Sequence, residues 1–256
     1  MKVTFLGTGT SGGVPILCCD CAICSSTNPL DKRLRTSVLL EIENTNIIID
    51  TSPDFRQQLL RQNTKKIDAI IFTHEHKDHV GGLDDIRPFN FFNNVTIPLY
   101  VSSNVDKAIR QEFHYAFGDT TYPGVPRLNL IHIEPSKPFF VADTAIQVLP
   151  IHVMHGTLPI LAFRIKDFTY ITDAKYITAE DKEKIKGTKT LVVNALRKEE
   201  HFSHFNLEEA LAFIQEIKPE KAYLTHIGHQ LGKHDEISNI LPPNVFLAYD
   251  TLQIIA

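Results

Sequence analysis

Short apolar runs divided by polar turns recur along the whole chain. Val3-Leu6, Ser37-Ile42, Asn46-Ile49, Ala69-Phe72, Ile97-Val101, Ala145-Leu149, Leu161-Ile165, Thr169-Ile171, Leu191-Val193, Ala222-Leu224 and Val245-Ala248 are rich in Ile, Val, Phe and Tyr. Such residues fit a pleated, half-buried surface, so these runs predict strands. A different period governs Leu207 to Lys218, where Leu207, Ala210, Leu211, Ile214 and Ile217 fall on one helical face. Asn206 caps that helix, Glu209 completes a capping pair and Pro219 ends it. Thr178-Ala-Glu-Asp opens a second helix with Gly187 just past its end, and weaker helical spacing covers Asp54-Gln62 and Asn104-Phe113. Strands interspersed with amphipathic helices predict packed sheets covered by helices, without determining their order.

The chain has 256 residues, 43% hydrophobic and 22% charged, with no low-complexity segment or Gly/Ser linker. One domain over residues 1–256 is therefore expected. No apolar stretch is long enough to cross a bilayer, and Met1-Lys2 leads into no secretion signal, so a cytoplasmic location is expected. The net charge of −4 argues against a long polyanionic partner: neither nucleic acid nor membrane is expected. It says little about a small anionic substrate, because bound cations would dominate the local field.

Twelve histidines is a high count, and their placement matters more than their number. His114 and His132 read as surface imidazoles. Thr73-His74-Glu75-His76-Lys77-Asp78-His79 is different: four potential ligands occupy six residues directly after an apolar run. Imidazole and carboxylate suit Zn, Mn or Fe. Alternation would point His74 and His76 at one ion, while Asp78 and His79, beyond a bend, address a second. Glu75 and Lys77 would face solvent, and Gly81-Gly82 would let the backbone turn tightly. One loop cannot complete two ligand shells. Further candidates stand at comparable strand ends: His155, followed by Gly156, Asp173 after Thr172, and His226 after Thr225. His152 is a rival to His155.

The ordered set Asp50, His74-x-His76-x-Asp78-His79, His155, Asp173 and His226 resembles the five motifs of the metallo-β-lactamase superfamily. The resemblance implies an α/β fold built as a four-layer αββα sandwich with metals at one edge between the sheets. It implies one site from His74, His76 and His155, a second from Asp78, His79 and His226, and Asp173 bridging. Asp50 would support a ligand from behind.

All four cysteines lie in Cys18-Cys19-Asp20-Cys21-Ala22-Ile23-Cys24, too compact for a disulfide framework. Grouped thiolates read as a structural zinc site, and three Cys with a distant His is better geometry than adjacent Cys18 and Cys19 together. Gly7-Thr-Gly9, Gly13-Val-Pro15, Cys19-Asp-Cys21-Ala-Ile-Cys24 and Thr225-His-Ile-Gly-His-Gln-Leu231 resemble the PhnP-type phosphodiesterases, which act on phosphoribosyl 1,2-cyclic phosphate. That resemblance implies a structural zinc on Cys19, Cys21, Cys24 and His229, with no role for Cys18. Ser203-His204-Phe-Asn-Leu207 resembles a further motif of that group, whose His reaches the scissile phosphate; His201 is a nearby rival.

The expected chemistry is in-line attack by a metal-bridged hydroxide on a small or cyclic phosphodiester, with Asp78 and His204 in the catalytic machinery and two divalent cations (Zn, Mn or Fe) as cofactors. Arg87, Phe89, Phe91, Phe92, Phe117 and Tyr122, in the individual segment 83–129, are candidates to line the pocket. Relatives on this scaffold are often dimers, so a homodimer stays open. A tRNase Z-like nuclease would need an extruded arm that the sequence does not show, and a thioesterase or lactonase does not predict the Cys cluster. A non-catalytic PqqB-like binder would be expected to lack parts of the metal motif, whereas every position is filled here.

Overall fold

The computed structural model describes residues 1–118 and 124–256; Tyr122 lies outside the described residues. The alternation seen in sequence becomes two sheets. The first contains β1 (Lys2–Gly7), β2 (Ser37–Ile42), β3 (Thr45–Ile49), β4 (Ala69–Ile71), β5 (Ile97–Val101), β6 (Leu128–His132) and β14 (Gln253–Ile255), in the order β14-β1-β2-β3-β4-β5-β6. The second contains β7 (Phe139–Phe140), β8 (Gln147–His155), β9 (Leu158–Ile165), β10 (Phe168–Tyr170), β11 (Thr190–Asn194), β12 (Lys221–Thr225) and β13 (Val245–Leu247), in the order β13-β12-β11-β10-β9-β8-β7.

Successive side chains of a strand point to opposite faces, and here both faces are covered. Ile47 and Ile49 enter the layer between the sheets together with Val38, Leu40, Phe163, Tyr170 and Val192. Ile48, between them in sequence, faces away and packs with Leu39 and Ile70 under α1 (Phe55–Gln62) and α4 (Ser103–Glu112). The second sheet repeats the scheme. Leu191 and Val193 turn outward to meet Ile185 of α5 (Ala179–Ile185), Phe213 and Ile214 of α6 (Leu207–Ile217) and Ile237 of α7 (His234–Ser238). The result is helix, sheet, sheet, helix: the expected αββα sandwich.

The predicted helices form where their caps stand. The Asn206 side chain accepts from the Glu209 N–H and the Glu209 carboxylate accepts from the Asn206 N–H. Thr178 caps α5. Three short helices escaped the sequence reading: α2 (Lys77–Val80) inside the His-rich loop, α3 (Arg87–Phe92) after it, and α7. β8 runs through Pro150 to His155, which stands at the strand end as expected. Pro150 interrupts the apolar pattern, but β7 pairs only with Gln147 and Val148. At Pro150 no strand among the described residues pairs with β8 on that side, and a proline is tolerated there.

Strands β3 to β6 run parallel, as do β10 to β13. Their carboxyl ends gather on one edge of the sandwich. Asp50 follows β3, His74 follows β4, Asp173 follows β10 and His226 follows β12. A bond from the Leu161 N–H to the Thr73 carbonyl (3.0 Å) ties the two sheets together at this edge.

Candidate metal centre

Residues distant in sequence converge there as two groups of donor atoms, each within 4.8 Å of one another: His74, His76 and His155 in the first, Asp78, His79, Asp173 and His226 in the second. His152 is not among them; it faces Asp181 at 3.9 Å. A third grouping joins His155, Asp173 and His204. His114 and His132 stay on the surface.

Hydrogen bonds from behind decide which ring nitrogens are free. The Asp50 carboxylate accepts from the Thr73 N–H (2.8 Å), the Thr73 hydroxyl (2.8 Å) and His79 Nδ1 (2.7 Å). Because the Thr73 hydroxyl gives its one proton to Asp50, its oxygen must accept from His74 Nδ1 at 2.9 Å. His155 Nδ1 donates to the Ser203 carbonyl at 2.8 Å. In all three rings Nδ1 therefore carries a proton, which leaves Nε2 to face the site. His74 Nε2, His79 Nε2 and both ring nitrogens of His226 are buried without a hydrogen-bond partner. His79 Nε2 lies 3.2 Å from Asp78 and 3.3 Å from Asp173, between two carboxylates where either a proton or a cation must stand. A cation resolves that arrangement. The donor set of imidazoles and carboxylates fits a divalent transition metal.

The electrostatics agree. Burial alone would push the His79 imidazole down, but Asp173, Asp78 and Asp50 outweigh it and hold it well above its ordinary value. The site thus carries surplus negative charge. Burial, reinforced by the neighbouring His79, holds His74 well below the ordinary range, in the neutral form that ligates a metal. Burial pushes the Asp50 carboxyl up, opposed by His79 and Thr73.

The chain reaches these positions through strained backbone. Asp50, Asp173 and His226 take left-handed φ values of 64°, 58° and 53°. Each costs on the order of 1–2 kcal/mol, a cost carried by the surrounding hydrogen bonds. Asn194, buried at the end of β11, clamps one of these turns: its side chain accepts from the Ala174 N–H (2.8 Å) and donates to the Ala174 carbonyl (3.0 Å). The sequence reading missed Asn194, whose signal is a polar residue closing the run Leu191-Val-Val. The Gly81-Gly82 expectation needs correction. Their φ values are −65° and −95°, so no left-handed turn demands glycine. Close approach does: a Cβ on Gly82 would lie 2.1 Å from the Ser52 carbonyl.

His204 is buried beside Asp173, with Nε2 3.0 Å from Asp173 Oδ1. Burial, opposed by the Asp173 hydrogen bond, brings its pKa down to about 4, so the resting ring is neutral. Of the expected pocket aromatics, Phe89 and Phe92 instead line a cavity of about 490 Å³ between α1 and α3, with no residue of either donor group. Phe91 is exposed, Phe117 lies beneath Arg110, and Arg87 pairs with Asp84.

A second cluster sits next to His226. The thiols of Cys19, Cys21 and Cys24 approach His229 Nδ1 at 3.3, 3.3 and 3.5 Å, while Cys18 is exposed. The Cys24 N–H and His229 bring the Cys21 thiol down to about 6, whereas burial pushes Cys24 up to about 11. Three soft thiols and an imidazole are a tetrahedral zinc set. The Ile227 N–H also bonds the Thr8 carbonyl (2.9 Å), so this cluster joins the N-terminal loop to the strand end bearing His226.

No helix is long and apolar enough to cross a membrane among the described residues.

Comparison with known proteins agrees with this geometry. Residues 45–227 match the family model described as the β-lactamase superfamily domain. A Porphyromonas gingivalis protein named octanoyltransferase is 42% identical over 257 residues, covering 100% of this chain and 51% of that protein. The chain thus spans about half the length of that curated relative. Among solved structures, a diphosphatase of the PhnP family superposes with a TM-score of 0.92 at 35% identity, covering 100% of this chain and 97% of that one. Zinc-bound PqqB from Methylobacterium extorquens superposes with a TM-score of 0.82 at 19% identity over 100% of both chains, which shows the fold alone. The chain belongs to the β-lactamase superfamily of metal-dependent hydrolases and, within it, to the PhnP family.

Proposed function

We propose that the protein is a phosphodiesterase that uses a pair of divalent cations to hydrolyse a small or cyclic phosphodiester of the phosphoribosyl cyclic phosphate kind. The observation that carries this reading is the pair of donor groups sharing one edge, with ring nitrogens of buried imidazoles turned inward and unpartnered. His74, His76 and His155 would hold one cation. Asp78, His79 and His226 would hold the other, and Asp173 would bridge. Bound there, the cations supply Lewis-acid stabilisation of the phosphoryl group and a water acidic enough to attack near neutral pH.

The chain's own groups do the rest. Asp50 fixes the His79 ring and, through Thr73, the His74 ring. Asn194 holds the Asp173 turn. His204 presents an N–H beside Asp173, where it donates to the phosphate or to the departing oxygen. Cys19, Cys21, Cys24 and His229 would hold a structural zinc that anchors the N-terminal loop. Reduced thiols in that role fit a cytoplasmic setting. A small-molecule substrate and no nucleic-acid or membrane partner complete the reading; a homodimer is compatible with it.

The PhnP-family diphosphatase at 35% identity favours one second reading, cleavage of a phosphoanhydride in place of a phosphoester. The octanoyltransferase name belongs to a chain twice as long, and the donor set here supplies hydrolytic chemistry. The experiment is a hydrolysis panel with Mn- and Zn-loaded protein: bis(p-nitrophenyl) phosphate, a cyclic phosphoribosyl diester, a 2′,3′-cyclic nucleotide, a dinucleoside diphosphate and precursor tRNA. Preference for the cyclic diesters is expected. Turnover of the diphosphate alone would replace the first reading by the second, and turnover of none would sink both.

A further inference from the structure

Phe202 is 81% exposed, although the next residues, Ser203 and His204, are buried. A lone exposed phenyl is ordinary on a protein surface, but this one ends a file of rings that starts inside the metal edge. His226 and His204 are 5.0 Å apart, His204 and His201 4.9 Å, and His201 and Phe202 4.9 Å. His201 belongs to none of the donor groups. Phe202 thus stands two ring spacings outward from His204, with its outer face in solvent.

That exposure is imposed by a pinned loop. The Ser203 carbonyl accepts from His155 Nδ1 (2.8 Å), the Phe205 N–H donates to the Ala174 carbonyl (2.7 Å), and the Arg197 guanidinium donates to the Glu200 carbonyl (2.7 Å). Gly156, at φ 61°, leaves room for the loop: a Cβ there would stand 3.2 Å from Ser203 Cβ and 3.5 Å from the Phe202 ring. A ring fixed in this way loses little freedom when a ligand stacks on it. The surrounding charges narrow what that ligand is. Glu199 and Glu200 are exposed beside Phe202. The nearby cations are engaged: Arg197 on the Glu199 and Glu200 carbonyls, Lys175 on Glu209 (2.6 Å) and Glu200 (3.7 Å), and Lys198 along a cavity beside α6. A second phosphate would meet carboxylates there. An uncharged planar group would meet an aromatic face.

We propose that Phe202, backed by His201, is a stacking platform for a nucleobase, and that the substrate is a nucleoside phosphodiester whose base lies there while its phosphate meets the cations. The inference rests on the phosphodiesterase reading and names the group that the diester carries. Every base has a π face, so such a platform selects nucleosides over bare sugar phosphates without selecting one base.

The test uses the full metal-loaded chain. Adenosine 2′,3′-cyclic phosphate is compared with methyl riboside 2,3-cyclic phosphate, which keeps the sugar and the diester but lacks the base. Wild type should favour the nucleotide in kcat/KM, mostly through KM. Phe202→Leu keeps an apolar side chain and removes the π face; it should cut that preference roughly 10-fold. Phe202→Trp should keep or raise it. The chain has no tryptophan, so Phe202→Trp also supplies a single fluorescent reporter. Adenosine 3′-phosphate should quench it saturably, and ribose 5-phosphate should not. An unchanged preference in Phe202→Leu, or absent or equal quenching by the two ligands, would overturn the proposal. So would a Phe202→Leu chain that loses a dimer in sedimentation and keeps the preference, which would make Phe202 an interface between copies. If wild type hydrolyses neither diester, the phosphodiesterase reading fails, and the quenching still decides whether a base stacks on this ring.

Discussion

Replacing Asp50 by Asn changes one oxygen into NH₂ and leaves the volume alone, so it isolates the hydrogen-bond logic beneath the metals. The carboxylate accepts three protons, from the Thr73 N–H, the Thr73 hydroxyl and His79 Nδ1. If the amide oxygen keeps the Thr73 N–H, the new NH₂ faces His79 Nδ1 and the Thr73 hydroxyl. His79 must then move its proton to Nε2, and that nitrogen can no longer ligate. If the amide turns over, its NH₂ meets the Thr73 N–H in a fully buried place. Either way a buried donor goes unpaired, at about 1–3 kcal/mol. Removing such a supporting partner typically weakens metal binding 10–100-fold, which is about 1.4–2.8 kcal/mol. The assay is competition with a fluorescent chelator, with metal counted by mass spectrometry. The affinity of the His79 site should fall by that factor, while the ion on Cys19, Cys21, Cys24 and His229 stays. Unchanged affinity at the His79 site would refute the claim that Asp50 sets the His79 tautomer.

Cys21→Ser should remove one zinc per chain and lower the melting temperature before it alters turnover, read by metal analysis and calorimetry; an unchanged zinc count would end the structural-zinc proposal. Affinity at that cluster should rise with pH, because Cys24, pushed up to about 11 by burial, must lose its proton to bind; zinc retained equally at pH 5 and pH 8 in a chelator titration would contradict this. Gly82→Ala forces a Cβ against the Ser52 carbonyl and, at 2.6 Å, against Phe55 Cβ, and should cost about 1–3 kcal/mol in urea unfolding. Wild-type stability would mean that α1 yields freely. Asp78→Ala should bind one catalytic ion fewer and lose turnover by 10²-fold or more; near-normal turnover of bis(p-nitrophenyl) phosphate would count against a two-cation site.

Much of the site was legible because ligands announce themselves at strand ends. The His74–His79 loop is dense enough to read alone, and Thr172-Asp173 and Thr225-His226 repeat the Thr73-His74 pattern after apolar runs. What puts these residues together was not legible. Which strands pair, and that the parallel ones end on one edge, depends on contacts far apart in sequence. The left-handed backbone at Asp50, Asp173 and His226 suits residue types that enter that region more readily than most, but which Asp or His does so depends on the closed hydrogen-bond network around it. Asn194 reads as the end of an ordinary strand until Ala174 is seen against it. Phe89 and Phe92 looked like pocket residues only because aromatic content says nothing about direction.

The most direct measurement is a crystal structure of the protein reconstituted with zinc, with ions located by anomalous scattering. The account predicts two ions roughly 3.5–4 Å apart, one against His74, His76 and His155, the other against Asp78, His79 and His226, with Asp173 between. A single ion at that edge, or ions that ignore Asp173, would contradict it.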